Sequence, residues 1–404
     1  MKSGDPSTVL IATPGADLYG SDRMVLETVH ALISAGYRVF ATVPTGGPLV
    51  ELLRDAGATV LHQPMPVIRK GLLSVRGLFQ LLWQALTNLG SAWRLVRTVD
   101  PGTVLVNTIT TPLWLPLSRV ARRNVVCHIH EAESRTHPIL RRALYLPLLF
   151  SNRIVVNSKV SLDVLNRSAP RLTSRAAVVP NAVQGPPTTR PARQSLAGTT
   201  HLVYVGRLSA RKGPHVAIEA VRLLTQRGRN VHLTLVGAVF PGNEAYEASL
   251  HRQAEASGLS DRCTFLGFRP DVWPHLADGD IALVPSVGDE SFGNTAVEAS
   301  LAGRPVITSD IDGLREASSH TRSCVRVPPA DPHALVLAVE QIMDQWSQFR
   351  ALAMSDSHRL AQVFSPESYR TRLISAIGAH HPGSRKRASS ESSRRYHTPS
   401  TRMR

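Results

Sequence analysis

Short apolar runs recur along the first half of the chain, separated by longer amphipathic stretches. They are Val9-Leu10-Ile11-Ala12, Val39-Phe40-Ala41-Thr42-Val43, Val104-Leu105-Val106, Val125-Val126-Cys127 and Ile154-Val155-Val156. Between them lie segments such as residues 23–35, whose apolar positions repeat at helical spacing. Unbroken apolar runs suit strands buried on both faces, and strand followed by helix is the rhythm of a mainly parallel sheet. Residues 184–200, QGPPTTRPARQSLAGTT, break the rhythm: they are rich in Pro, Thr and Gly, have no apolar period, and read as a linker. The alternation then restarts, with strands expected at 201–205, 232–236, 264–266 and 281–284, a helix at 335–343, and a last stretch from Phe364 to Ile377. The fold class expected is α/β, with two doubly wound Rossmann-like domains at 1–183 and 201–360, joined by 184–200 and followed by a C-terminal helix at 361–378.

A length of 404 residues and 43% hydrophobic content are enough for two well-formed cores. Three cysteines, Cys127, Cys263 and Cys324, have no metal-ligand spacing and cannot all pair with one another, which points to a reducing compartment and a cytoplasmic location. The apolar run near the N-terminus is too short for a signal-peptide core and reads as a first strand.

The formal charge of +16 raises the question of an anionic partner. Residues 381–404 hold seven Lys or Arg against one Glu, so six of the excess charges lie in a Ser/Arg-rich tail, 379–404, expected to be disordered. The other ten are spread over the body in clusters flanking apolar segments. With no zinc-finger spacing and no basic-aromatic RNA-binding signature, no nucleic acid partner is expected, whereas an anionic membrane surface fits. Residues 65–99 combine Leu72, Leu73, Leu78, Phe79, Leu81, Leu82, Trp83, Leu86 and Leu89 with Arg69, Lys70, Arg76, Arg94 and Arg97. Arg76, Gln80, Gln84 and Asn88 interrupt any membrane span. Two readings remain, an amphipathic helix packed on the sheet or an interfacial helix, and Trp114, Leu115 and the Arg119, Arg122, Arg123 group add to the second.

The richest chemistry lies in residues 289–308, DESFGNTAVEASLAGRPVIT, after the apolar run 281–284. Glu290 and Glu298 are eight positions apart across an expected loop-to-helix junction. Phe292-Gly293-Asn294 would let backbone N–H groups approach a ligand, and the following helix would present its positive end to it, a combination suited to phosphate. Glu298, about two turns into that helix, could hydrogen-bond sugar hydroxyls, and Glu290 would stand in the loop. Gly206-Arg207-Leu208-Ser209-Ala210-Arg211-Lys212-Gly213 joins a strand to a helix and brings a glycine turn, an arginine and a lysine to a strand's carboxyl end. The loop 13–22, containing Gly20 and Ser21, matches no phosphate-loop consensus. His128 and His130 follow a strand without further ligands at metal spacing. Asp278-Gly279-Asp280 and Asp310-Ile311-Asp312 flank buried strands, so no catalytic metal and no cofactor are expected.

These residues resemble the motifs of family 4 retaining glycosyltransferases of GT-B architecture, whose two domains face a central cleft. Glu290-Ser291-Phe292-Gly293 and Glu298 are similar to that family's E-x7-E element, Gly303-Arg304-Pro305-Val306-Ile307 to the G-[KR]-P-V-I entering its next strand, and Gly206 to Gly213 to its G-R-L-x-x-x-K-G. The resemblance implies that Arg207 and Lys212 hold the nucleotide diphosphate and that His130 and Glu290 contact the transferred sugar. It also implies donor contacts from Gly20, Ser21, Gly267, Phe268, Phe292, Gly293, Asn294 and Glu298. Gly20-Ser21 stands where the family often has two glycines, and in Val179-Pro180-Asn181 the usual next glycine is Ala182. The resemblance further implies a last helix returning to the N-terminal domain. The expected activity is transfer of a sugar, with retention, from a nucleotide diphosphate sugar to a glycan, lipid-linked or small-molecule acceptor bound mainly by the N-terminal domain. A nucleotide-sugar hydrolase or epimerase on the same fold, or a non-enzymic basic membrane or nucleic-acid module, are the alternatives.

Overall fold

The computed structural model describes residues 4–18, 20–68, 75–134 and 136–378. Arg69, Lys70, Leu72, Leu73, the side chains of Arg76 and Leu78 and the tail 379–404, named above, lie outside that description.

The expected alternation forms two sheets. The first contains β1 (Asp5–Ala12), β2 (Arg38–Val43), β3 (Thr59–His62), β4 (Pro101–Val106), β5 (Asn124–Ile129), β6 (Arg153–Val156) and β7 (Ala176–Val178), in the order β3-β2-β1-β4-β5-β6-β7. The second contains β8 (Thr200–Val205), β9 (Val231–Val236), β10 (Cys263–Gly267), β11 (Ile281–Val284), β12 (Val306–Ser309) and β13 (Cys324–Val327), in the order β10-β9-β8-β11-β12-β13. β1 pairs in parallel with β2 and β4, and β8 with β9 and β11. Strand order therefore reverses between β1 and β4 and again between β8 and β11, the arrangement that opens a crevice at the strands' carboxyl ends.

The second sheet is covered on both sides, which explains its unbroken apolar runs. Leu202, Tyr204, Leu233, Leu235 and Leu283 face one cluster with residues of the helices Pro214–Gln226 and Pro332–Asp344. Their neighbours Val203, Val205, Val236, Ala282 and Val284 face the other, with Phe292, Val297, Leu360 and Phe364.

The chain divides into two compact units, one of 4–129, 146–155 and 370–378 among the described residues, the other of 130–145 and 156–369. The last helix, Pro366–Ile377, gives its residues from Arg370 onward to the first unit, where Arg370 donates to Glu27 Oε2 at 3.0 Å. Residues 184–199 form no regular element but lie against the second unit. Arg193 makes a two-pronged contact with the buried Asp280 at 2.8 and 2.7 Å, and Trp346 Nε1 donates to Arg193 O at 3.0 Å.

Two expectations are corrected in the first unit. Trp114 and Leu115, read as additions to a membrane-facing surface, are both 1% exposed, because the helix Trp114–Val120 turns them into the core. Arg123 is buried as well, with its guanidinium 2.6 Å from Asp100 Oδ1. Only Arg119 and Arg122 of that group are exposed.

Candidate functional site

The crevice between β8 and β11 collects most of the residues singled out above. Beyond β8 the chain passes through Gly206 into Arg207, and buried Tyr204 donates its hydroxyl to Arg207 O at 2.8 Å, anchoring the turn. Gly206 must lie beside Gly237 at the end of β9, where an added Cβ would meet Gly206 O at 1.8 Å. The carboxyl edge of the sheet is thereby kept clear of side chains. The Arg207 guanidinium carbon stands 3.4 Å from the centroid of the Phe240 ring, a cation–π stack that holds a half-buried cation in place.

The short helix Ala210–Lys212 ends at Gly213, whose φ of +72° is left-handed and whose Cβ position lies 2.0 Å from Pro285 O. This close approach draws the β8 and β11 loops together. Glu290 is 8% exposed, and its Oε1 receives Lys212 Nζ at 2.6 Å, Ser286 Oγ at 2.9 Å and Arg211 Nη1 at 3.1 Å. Burial opposes ionisation of this carboxyl, but the charges of Lys212 and Arg211 outweigh it and keep the group below its ordinary range. Glu290 is thus an ionised acceptor held by three donors, with two cations beside it.

The helix after Gly293 runs Asn294–Leu301. Gly293 has φ +103°, and a Cβ there would meet the Leu314 side chain at 2.6 Å, so glycine is required by conformation and by space. Phe292 is 2% exposed and meets Phe364 edge-on at 5.5 Å. Its ring belongs to the core, which leaves only its backbone for ligand contact. Asn294 accepts from Asn181 Nδ2 at 2.9 Å, joining the Pro-Asn element to the helix start. Glu298 is the fifth helical residue, about 6 Å of rise from the first and so nearer one turn than two; its side chain is mostly buried. Gly267 ends β10 with φ +71°, and the ring of Phe268 is exposed beside it.

His130 follows β5 and belongs to the same unit. Burial alone pushes its pKa down to about 4, so the imidazole is neutral near pH 7. Asn157 Nδ2 donates to His130 O at 3.4 Å and to Ser291 Oγ at 3.2 Å, tying the histidine's backbone to the residue after Glu290. Gly20 and Ser21 stand in the other unit, where they open the helix Gly20–Ser34, and Asn107 Nδ2 donates to Ser21 O at 3.5 Å.

Sequence reasoning missed Arg211, Ser286, Phe240 and Asn157. Arg211 was visible only as part of a basic turn, and Ser286 carries its signal only once the β11 loop is folded over Glu290. Of the aspartates with D-x-D spacing, Asp280 is held by Arg193, Asp310 accepts from Arg315 at 2.7 and 3.0 Å, and Asp312 accepts from the same arginine at 3.0 Å. Among the described residues no group of three or more His, Cys, Asp or Glu is placed to hold a metal ion.

Comparison with known proteins agrees with this architecture. Residues 199–345 match the family pattern described as glycosyl transferases group 1, and residues 19–184 match that of glycosyltransferase family 4. Glycogen synthase of Mycobacterium tuberculosis is 31% identical over 182 residues, 45% of this chain and 42% of that protein. D-inositol 3-phosphate glycosyltransferase of Paenarthrobacter aurescens is 30% identical over 238 residues, 56% of this chain and 55% of the relative. The chain thus spans about half the length of the curated relatives it matches, or somewhat less. HepE from Anabaena, solved in complex with UDP-glucose, superposes with a TM-score of 0.78 at 19% identity over 92% of this chain and 100% of that one, a likeness of fold. With residues 19–184 matching the family 4 pattern and residues 199–345 the group 1 pattern, the chain carries both glycosyltransferase domains, and its two Rossmann-like sheets have the fold of GT-B glycosyltransferases.

Proposed function

We propose that this protein transfers a sugar from a nucleotide diphosphate sugar to an acceptor hydroxyl with retention of configuration. The observation that carries the reading is the cluster of Arg211, Lys212 and Ser286 around Glu290 at the β8/β11 crevice, with Arg207 braced on Phe240 beside it. As the anomeric C–O bond to the diphosphate breaks, negative charge grows on the leaving phosphate oxygen, and Arg207 and Lys212 supply the compensating charge there. The acceptor oxygen bonds to the anomeric carbon on the same face, and its proton passes to the departing phosphate. This route needs no enzymic nucleophile, so Glu290 positions the sugar. Neutral His130 offers it a hydrogen bond without adding charge. The protein's own cations take the part a divalent ion plays elsewhere, so the reaction is metal-independent and needs no cofactor.

The acceptor class this reading favours is a lipid-linked or cell-envelope glycan, with the enzyme peripheral on the cytoplasmic face of an anionic membrane. The donor assignment is tested by calorimetric titration of UDP, GDP and ADP, then of their sugars, followed by product analysis with and without acceptor. Saturable binding of one nucleotide and acceptor-dependent product with unchanged anomeric configuration are expected. Turnover without acceptor would instead identify a hydrolase or epimerase, and inversion would remove the front-face route.

A further inference from the structure

The helix Val75–Val99 carries a second apolar stripe that faces away from the core. An amphipathic surface helix puts its apolar stripe on the core and its polar face in water. Here the less exposed side mixes Leu81, Ala85, Ala92 and Val96 with Gln84, Asn88 and Ser91, and Ser91 Oγ receives a hydrogen bond from Nε2 of the buried Gln63 at 2.9 Å. The outward stripe is Phe79, Leu82, Trp83, Leu86 and Leu89, with Phe79, Trp83 and Leu86 71%, 69% and 70% exposed. Toward its C-terminal end the helix is anchored by the buried Ala92 and Val96.

The exposure continues on neighbouring elements. The helix Trp114–Val120 packs against both Val75–Val99 and the short helix Leu146–Phe150, all in the first unit. Val120, Leu146, Leu149 and Phe150 are exposed on them. Nine of the fourteen large exposed hydrophobic residues in the described chain thus fall on three adjoining elements, far from the random scatter of an ordinary surface.

Charge identifies the occupant. Residues 56–162 contain thirteen Lys or Arg and three Asp or Glu, so the whole excess of ten positive charges outside the tail falls within them and is not spread evenly over the body. In the first unit Arg94, Arg97, Arg119, Arg122 and Arg153 are exposed. A second copy of the same face would meet it with like charge, and nucleic acid would gain nothing from Phe, Trp and Leu side chains of this kind. A surface that is anionic outside and hydrocarbon just beneath satisfies both features. No helix among the described residues is long and apolar enough to cross a membrane, so the contact is interfacial.

We infer that the outward stripe of Val75–Val99, with Val120 and Leu146–Phe150, is a docking surface for an anionic phospholipid bilayer. The inference rests on the peripheral-membrane reading above and gives it a location, including a second element, Leu146–Phe150. The stripe inserts between headgroups while the arginines remain at the phosphate level.

The test uses the full chain and sucrose-loaded vesicles of phosphatidylcholine alone or mixed with phosphatidylglycerol. Sedimentation with the anionic vesicles only, weakened by salt, is expected. Phe79→Ser/Trp83→Ser/Leu86→Ser should weaken it by about 10²-fold, because three large side chains lose their burial in lipid. Leu149→Ser/Phe150→Ser should weaken it by about tenfold on the same ground. These positions are exposed, so thermal melting should be unchanged. Should a variant melt early, quenching by brominated lipid decides: it must be strong in the parent and fall in Trp83→Phe. Equal binding by parent and apolar variants would mean that the basic tail alone attracts the vesicle, and the inference fails. It fails also if the parent does not sediment, or if the stripe instead drives dimerisation seen by analytical ultracentrifugation. Nucleotide binding, measured on the same proteins without lipid, reports separately on the transferase reading.

Discussion

Lys212 Nζ lies 2.6 Å from Glu290 Oε1, so the lysine assigned to the donor diphosphate is already engaged by the carboxylate assigned to the sugar. Arg211 joins the same oxygen from the other side. An arriving diphosphate therefore competes with an internal anion for the same cations. Glu290→Gln should lower transfer by about 10²-fold through loss of sugar positioning, yet tighten binding of the free nucleoside diphosphate by about tenfold, because a buried like charge is removed. Calorimetry on the folded variant checks this, and weaker nucleotide binding would show that Glu290 supports the cations more than it opposes the ligand.

Arg207→Ala or Lys212→Ala should reduce turnover by roughly 10²-fold, the scale of losing one stabiliser of transition-state charge. Phe240→Ala should act in the same direction but more weakly, since it removes the ring under Arg207 and not the charge. Both cation variants should still fold, with Lys212→Ala melting earlier because the buried Glu290 loses a partner. Normal rates in both cation variants would remove the diphosphate assignment.

Activity should persist in excess EDTA, because the proposed mechanism takes the positive charge at the leaving group from Arg207 and Lys212. Abolition by the chelator with rescue by Mg²⁺ or Mn²⁺ would refute metal independence.

His130 gives a pH dependence of stability. Its folded pKa of about 4 lies below the ordinary value of 6.5, so the unfolded chain takes up a proton first as pH falls. Its contribution is fully present above pH 6.5 and is lost as pH falls through the folded value, by roughly 3 kcal/mol at 1.36 kcal/mol per unit. Urea unfolding of the parent and of His130→Gln between pH 7 and pH 4 should show the parent losing more stability by about this amount. Parallel curves would mean that the imidazole is better solvated than its burial implies.

Gly213→Ala should destabilise by about 2 kcal/mol or more, since the residue is left-handed and a methyl group would strike Pro285 O. Circular dichroism melts and nucleotide titration should report the loss together, because the same close approach holds the Lys212 turn against the Glu290 loop.

Much of this protein was determined by its sequence alone, and the reason is range. Strands such as β8 and β11 announce themselves because burial on both faces demands unbroken apolar runs, and the turns at Gly213 and Gly293 because only glycine suits their backbone and space. Arg207, Lys212, Glu290 and Glu298 could be singled out because each stands at a fixed short distance from such a strand or turn. What joins those segments was decided by tertiary structure. Asn157 meets Ser291 across 134 positions and Asn181 meets Asn294 across 113, pairings that no local period encodes. Arg211 and Lys212 reach Glu290 only because the strand order makes β8 and β11 neighbours. Amphipathic spacing likewise reveals that a helix has an apolar face but not what that face meets. Trp114 turned into the core, Phe292 into the packing beneath the site, and Phe79, Trp83 and Leu86 outward, because direction is set by which neighbours the sheet brings alongside.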